Sequence, residues 1–171
     1  MNTAEALIAA YRQGLGLAAV TIVTAAHGAR LICAAEELAL EPGESVHARW
    51  WCRSAQQAEW LVGAVVRAAK ADDADAPSHL CRAVIKTAKR LGISLRADAE
   101  ISAEAAGVIA RLEQEIAAQQ RAGTLKSINR GYRDYRLAAS ARGEKMLRYA
   151  DWMARYKAKL IRDIAHNLRS L

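Results

Sequence analysis

The chain has 171 residues, 53% of them hydrophobic, and a net charge of +7. That length suits one ordinary domain, or a small domain with an extension, and holds enough apolar side chains for a real core. Phenylalanine is absent, only two prolines occur, and much of the apolar content is alanine. Alanine adds little buried area, so helices should pack closely on thin cores. Three scattered cysteines without a CxxC pair exclude a disulfide framework and fit a reducing cytoplasm.

In chain order, Thr3 with Glu5 in the first turn predicts a helix running to about Gln13, ended by Gly14 and Gly16. Gly14 to Ala26 is apolar for 13 residues, too short to span a bilayer. A signal segment would carry a basic start where this chain has Glu5. The cluster Val20-Thr21-Ile22-Val23-Thr24 is β-branched and reads as a strand within Ala19 to Thr24. His27-Gly28 is a turn, and Ala29 to Ala34 returns as a second strand. After Pro42-Gly43, Val46, Ala48, Trp50 and Cys52 alternate with His47, Arg49, Trp51 and Arg53, predicting a third strand. Adjacent strand side chains point to opposite faces, so Trp50 and Trp51 cannot share one core. Ser54 then caps a helix whose apolar face is Trp60, Leu61, Ala64, Val65 and Ala68.

Asp72 to Ala76 is an acidic linker that divides the chain into an α/β part, 1–71, and a helical part, 78–171. Helices are expected over Ser78 to Leu91 with Gly92 as the C-cap, and from Asp98 or Ser102 to Ala122. Two more follow, one capped by Thr124 and ending near Gly143, the last from about Leu147. The expected fold is mainly helical α+β with a small three-stranded antiparallel sheet near the N-terminus. An all-α fold is the alternative, because the Ala-rich stretch Leu31 to Leu40 also reads as helix.

The positive charge belongs to one segment. Arg121 to Leu171 holds 13 Lys/Arg and 4 Asp/Glu, against 12 and 14 before it. In the helix from Leu125 to Arg142, Leu125, Ile128, Tyr132, Tyr135 and Ala139 make an apolar face. Lys126, Arg130 and Arg133 line the side, with Arg136 and Arg142 nearby. In the last helix the expected apolar face is Tyr149, Trp152, Tyr156, Leu160, Ile164 and Leu168. Its basic stripe is Arg148, Arg155, Lys159, Arg162, His166 and Arg169. Such stripes neutralise phosphates and release counterions, and arginine, the commoner cation here, suits phosphate oxygens. The expected role is a non-enzymatic nucleic-acid-binding accessory protein acting on duplex DNA. A basic helical pair docking an acidic protein, or a second copy in a homodimer, is the alternative. Membrane contact is not expected, since the apolar faces are sized for core packing.

The order of strands and helix between Ala19 and Lys70 resembles the GIY-YIG nuclease domain. That family pairs two strand motifs about ten residues apart, and Thr21-Ile22-Val23 and Leu31-Ile32-Cys33 stand at their places. Glu59 would take the place of the family's metal-binding glutamate. Both motif tyrosines are missing, and Ala34 to Glu41 contains no arginine. The resemblance therefore implies a scaffold without the chemistry, because metal-assisted cleavage also needs a general base and a phosphate-binding cation. Cys33, His47, Cys52, His79 and Cys81 match no zinc-ligand spacing. No P-loop or dinucleotide fingerprint occurs, so no catalytic residue, metal or cofactor is assigned.

Overall fold

The computed structural model describes residues 3–34, 38–68 and 76–171. Helix α1 (Thr3–Leu15) leads into strands β1 (Ala18–Ala25), β2 (Gly28–Ala34) and β3 (Ser45–Cys52). Helices α2 (Ala55–Ala68) and α3 (Pro77–Leu91) follow, then β4 (Arg96–Ala97), α4 (Asp98–Arg121), α5 (Lys126–Ala141) and α6 (Tyr149–Arg169). The protein is mainly helical α+β, and Gly28–Ala34 is strand, so the all-α alternative falls. A fourth strand joins the expected three. It has two residues, too few to show any alternation. Most of the acidic linker, 72–75, lies outside the described residues.

The chain forms two compact units, Leu15–Ser102 and Met1–Gly14 with Ala103–Leu171. This division cuts the chain differently from the linker. Helix α3 belongs with the sheet because Leu80, Val84 and Ala88 share a core with Val20, Ile22, Leu61 and Val65. In the sheet unit the strand order is β2-β1-β3-β4, antiparallel throughout. Central β1 is buried from Ala18 to Val23. Strand β3 pairs with it through a bulge between Ile22 and Val23.

Trp50 and Trp51 separate as the pleat requires. Trp50 packs beside the core under α2 and α3. Trp51, only 7% exposed, donates its indole N–H to Asp98 Oδ1 at 2.7 Å. Ser54 caps α2 by accepting from the Gln57 amide at 3.2 Å. Gly92 ends α3 in the left-handed region, and Ile93 N donates back to Ala88 O at 2.9 Å.

In the helical unit, Tyr11 is fully buried and donates its hydroxyl to Glu104 Oε1. Gly14 does not end α1, as expected, but sits within it. A Cβ there would lie 2.4 Å from the Arg162 carbonyl oxygen and 2.7 Å from the Ala165 Cβ. The glycine is thus the contact at which α1 meets α6, and Gly16, at φ 67°, follows the helix end. Thr124 does not cap α5, which starts after Leu125 without a side-chain cap. Its hydroxyl donates to Gln119 O at 3.2 Å and closes α4. No helix among the described residues is long and apolar enough to cross a membrane.

Two outcomes test this packing. Gly14→Ala should lower stability to urea by about 2 kcal/mol, because a backbone carbonyl cannot yield to the added methyl. Gly107→Ala, where nothing lies within 4 Å of the new Cβ, should raise it by roughly 0.5–1 kcal/mol. Equal effects would remove the role given to Gly14. Burial, then the neighbouring Cys33, pushes the buried Cys52 thiol up from 9.0 to about 11. The folded protein holds a proton that the unfolded chain releases, so this contribution is full below pH 9 and is lost as pH rises through about 11. The stability gap between the native chain and Cys52→Ala should shrink from pH 8 to pH 10.5.

Candidate nucleic-acid interface

Helices α5 and α6 form a hairpin closed by aromatic side chains. Tyr132 meets Tyr149 edge-on at 5.1 Å and Trp152 at 5.3 Å, and Trp152 stacks on Tyr156 at 5.2 Å. Such pairs are worth about 0.5–1.5 kcal/mol each beyond the area they bury. A Cβ at Gly131 would meet the Trp152 ring at 3.6 Å, an ordinary contact that an alanine could make. The polar ends of the tyrosines are also used. Tyr132 donates its hydroxyl to Leu147 O at 3.0 Å, and Leu147 N donates to the Tyr135 hydroxyl at 3.1 Å. Tyr149 donates to Asn129 Oδ1 at 3.2 Å. The tyrosines face this seam, as their spacing implies.

The apolar face of α5 lies as expected, with Ile128 and Ala139 buried and Leu125, Tyr132 and Tyr135 half-buried. That of α6 does not. Its buried residues are Ile161 and Ala165, while Leu168 stays 45% exposed. The helix serves two neighbours on different sides. Its aromatic first half turns to α5, and Ala165 in its second half turns to Gly14 of α1. A single stripe projected along the whole helix misses that change of side.

All nine predicted contacts are exposed: Lys126, Arg130, Arg133 and Arg136 on α5, Arg148 just before α6, and Arg155, Lys159, Arg162 and Arg169 on α6. Arg148 lies 4.0 Å from Asp151 Oδ2. The other eight have no ion pair among the described residues. Arg136 sits over the Tyr132 ring at 6.0 Å, which fixes its stem. Two other cations nearby are engaged elsewhere. Arg142 bonds Glu144 at 2.7 and 3.0 Å, raising the arginine pKa and lowering that of the glutamate. Lys157 reaches Glu113 at 3.6 Å.

With 3.6 residues per turn, Arg148, Arg155, Lys159, Arg162, His166 and Arg169 fall within about 80° of arc and along about 31 Å of helix. That length approaches one turn of B-form duplex, about 34 Å. Arg148 aside, the arginines and Lys159 of this row can each take a phosphate oxygen without first breaking an internal ion pair among the described residues.

The residues behind the GIY-YIG resemblance are also placed. Thr21-Ile22-Val23 and Leu31-Ile32-Cys33 are neighbours on β1 and β2, with Thr21 opposite Ile32. Glu59 is exposed on α2, and its charge, after burial, pushes the Cys33 thiol up. Among the described residues, no group of three or more His, Cys, Asp or Glu side chains is placed to hold a metal ion. No family model, curated protein or solved structure matches this chain.

The seam should carry the hairpin's stability. Trp152→Ala should cost about 2 kcal/mol in chemical denaturation, whereas Leu137→Ala, at a side chain 65% exposed, should cost under about 0.5 kcal/mol. Comparable losses would mean that the aromatic contacts do not hold the two helices.

Proposed function

We propose that this protein is a non-enzymatic nucleic-acid-binding accessory protein that grips the phosphate backbone of duplex DNA through α5 and α6. One observation carries the reading: eight exposed cations without ion pairs among the described residues stand on a hairpin braced by aromatic contacts. A braced cation loses less side-chain and backbone freedom on binding than one on a mobile tail. Free thiols at Cys33, Cys52 and Cys81 agree with a cytoplasmic setting. The GIY-YIG resemblance enters as scaffold only, since the chain lacks the family's tyrosines and arginine.

A second reading, docking of an acidic protein or of another copy, draws on Leu137. This side chain is 65% exposed on the α5 turn that also bears Arg133 and Arg136. An apolar anchor among cations suits a protein surface better than a phosphate backbone.

Binding to random-sequence duplex, followed over rising salt, separates the two. The logarithm of affinity should fall linearly with the logarithm of salt, by about 0.9 for each phosphate neutralised. The triple variant Arg155→Gln, Lys159→Gln and Arg162→Gln should reduce that slope by roughly 2–3. No duplex binding at low salt would sink the nucleic-acid reading. Self-association or acidic-protein binding lost in Leu137→Asp would then support the second.

A further inference from the structure

The sheet unit carries a second basic and aromatic surface that the hairpin does not use. On α2, Trp60, Ala64 and Arg67 recur at four and three residues and so share one face. With Ala68, and with Arg90 and Leu91 at the end of α3, they line a hollow of about 430 Å³. That volume lies in the range of small-ligand sites, about 300–1,000 Å³. Its floor is small and apolar, since Ala64 is buried. Trp60 stands at the rim with half of its surface in solvent, 51%.

The charges beside this indole lack partners. Arg67 and Arg90 are exposed and have no ion pair among the described residues. Arg67 lies back along its helix, so that a Cβ on Gly63 would come within 3.2 Å of Nη1. A glycine inside a helix costs roughly 1 kcal/mol against alanine, and here it leaves room for the guanidinium beside the Trp60 face. Glu59 is the sole acidic residue of α2. It is one residue, about 100°, round the helix from Trp60, and its charge acts on Cys33.

The other side of Trp60 holds an independent feature. A second hollow, of about 310 Å³, is lined by Gln56, Gln57 and Trp60. The Gln57 Oε1 is itself shielded from solvent and has no hydrogen-bond partner among the described residues. A buried amide oxygen left unpaired costs free energy.

We infer that this surface binds an unpaired nucleotide of a single-stranded nucleic-acid segment, its base stacked on Trp60 and its phosphate held by Arg67 and Arg90. Base stacking on an exposed aromatic beside cations is how single strands are commonly held without sequence readout. An acidic peptide would use the two arginines and leave the indole face unanswered. A nucleotide engages both. The inference rests on the nucleic-acid reading above and extends it from duplex phosphates to an exposed base, on different residues.

The full-length protein tests it by fluorescence anisotropy with a labelled mixed-sequence strand of about 15 nucleotides and with the matching duplex. Trp60→Ala should weaken the strand by roughly 5- to 100-fold and leave the duplex within about twofold, since one stacked base contributes that much. Trp60→Tyr should restore most of the loss, which a merely structural tryptophan would not allow. Arg67→Gln with Arg90→Gln should flatten the salt dependence for the strand alone. Unchanged strand affinity in Trp60→Ala, or equal losses on strand and duplex, would overturn the inference. So would Trp60-dependent binding of a glutamate-rich peptide, or of a free mononucleotide, by a protein that ignores the strand. The two proposals fail separately: strand binding that depends on Trp60 survives an absence of duplex binding, and the α6 triple variant affects only the duplex.

Discussion

The contact between Tyr132 and Trp152 is the interaction on which the basic surface depends. Helices α5 and α6 are rich in charge and poor in large aliphatic side chains, and among them only Ile128, Ala139, Ile161 and Ala165 are buried. Alanine and two isoleucines remove little apolar area from water. The aromatic seam supplies the rest, and its tyrosines add hydrogen bonds to the Leu147 backbone and to Asn129. Repulsion among so many like charges opposes a compact hairpin, and the seam has to outweigh it.

The two units solve the problem of an alanine-rich chain in different ways. The sheet unit buries a strand on both faces, so that Val20 and Ile22 meet α2 and α3 while Thr21 and Val23 are covered on the other side. The helical unit brings backbones together. Gly14 lets α1 lie against the Arg162 carbonyl, at a distance that no side chain would permit. Close approach replaces bulk, and dispersion contacts between backbone atoms stand in for those of missing aliphatic side chains.

Much of this was legible in the sequence because local rules and tertiary structure agreed. The β-branched run of β1, the alternation of β3, the Ser54 cap and the Gly92 terminator each carry a local cause, and each stands where that cause puts it. All nine basic positions are exposed, because charge patterning at helical spacing reports solvent directly. What failed depended on neighbours. Gly14 looked like a helix end because its reason lies in α6, far along the chain. Thr124 looked like the cap of α5 but bonds backward to α4, as a short hydroxyl can do in either direction. The buried side of α6 shifts midway because two partners claim it, and no single period describes that. The surface around Trp60 is not legible in the helical spacing, which puts the tryptophan in a core-facing stripe, whereas half of it is in solvent.

The two tyrosine hydroxyls grip Leu147 by both of its backbone polar atoms, and this makes the hairpin loop asymmetric. Lys145 and Met146 before Leu147 make no hydrogen bond or ion pair among the described residues, so their number can change while the grip holds. Residues after it act as a phase setting. One residue inserted between Leu147 and Trp152 would turn the remainder of α6 by about 100° relative to its anchor. That would swing Arg155, Lys159 and Arg162 out of their line and bring Trp152 out of its seat. Length variation in this protein is therefore tolerable on one side of a single residue and ruinous on the other.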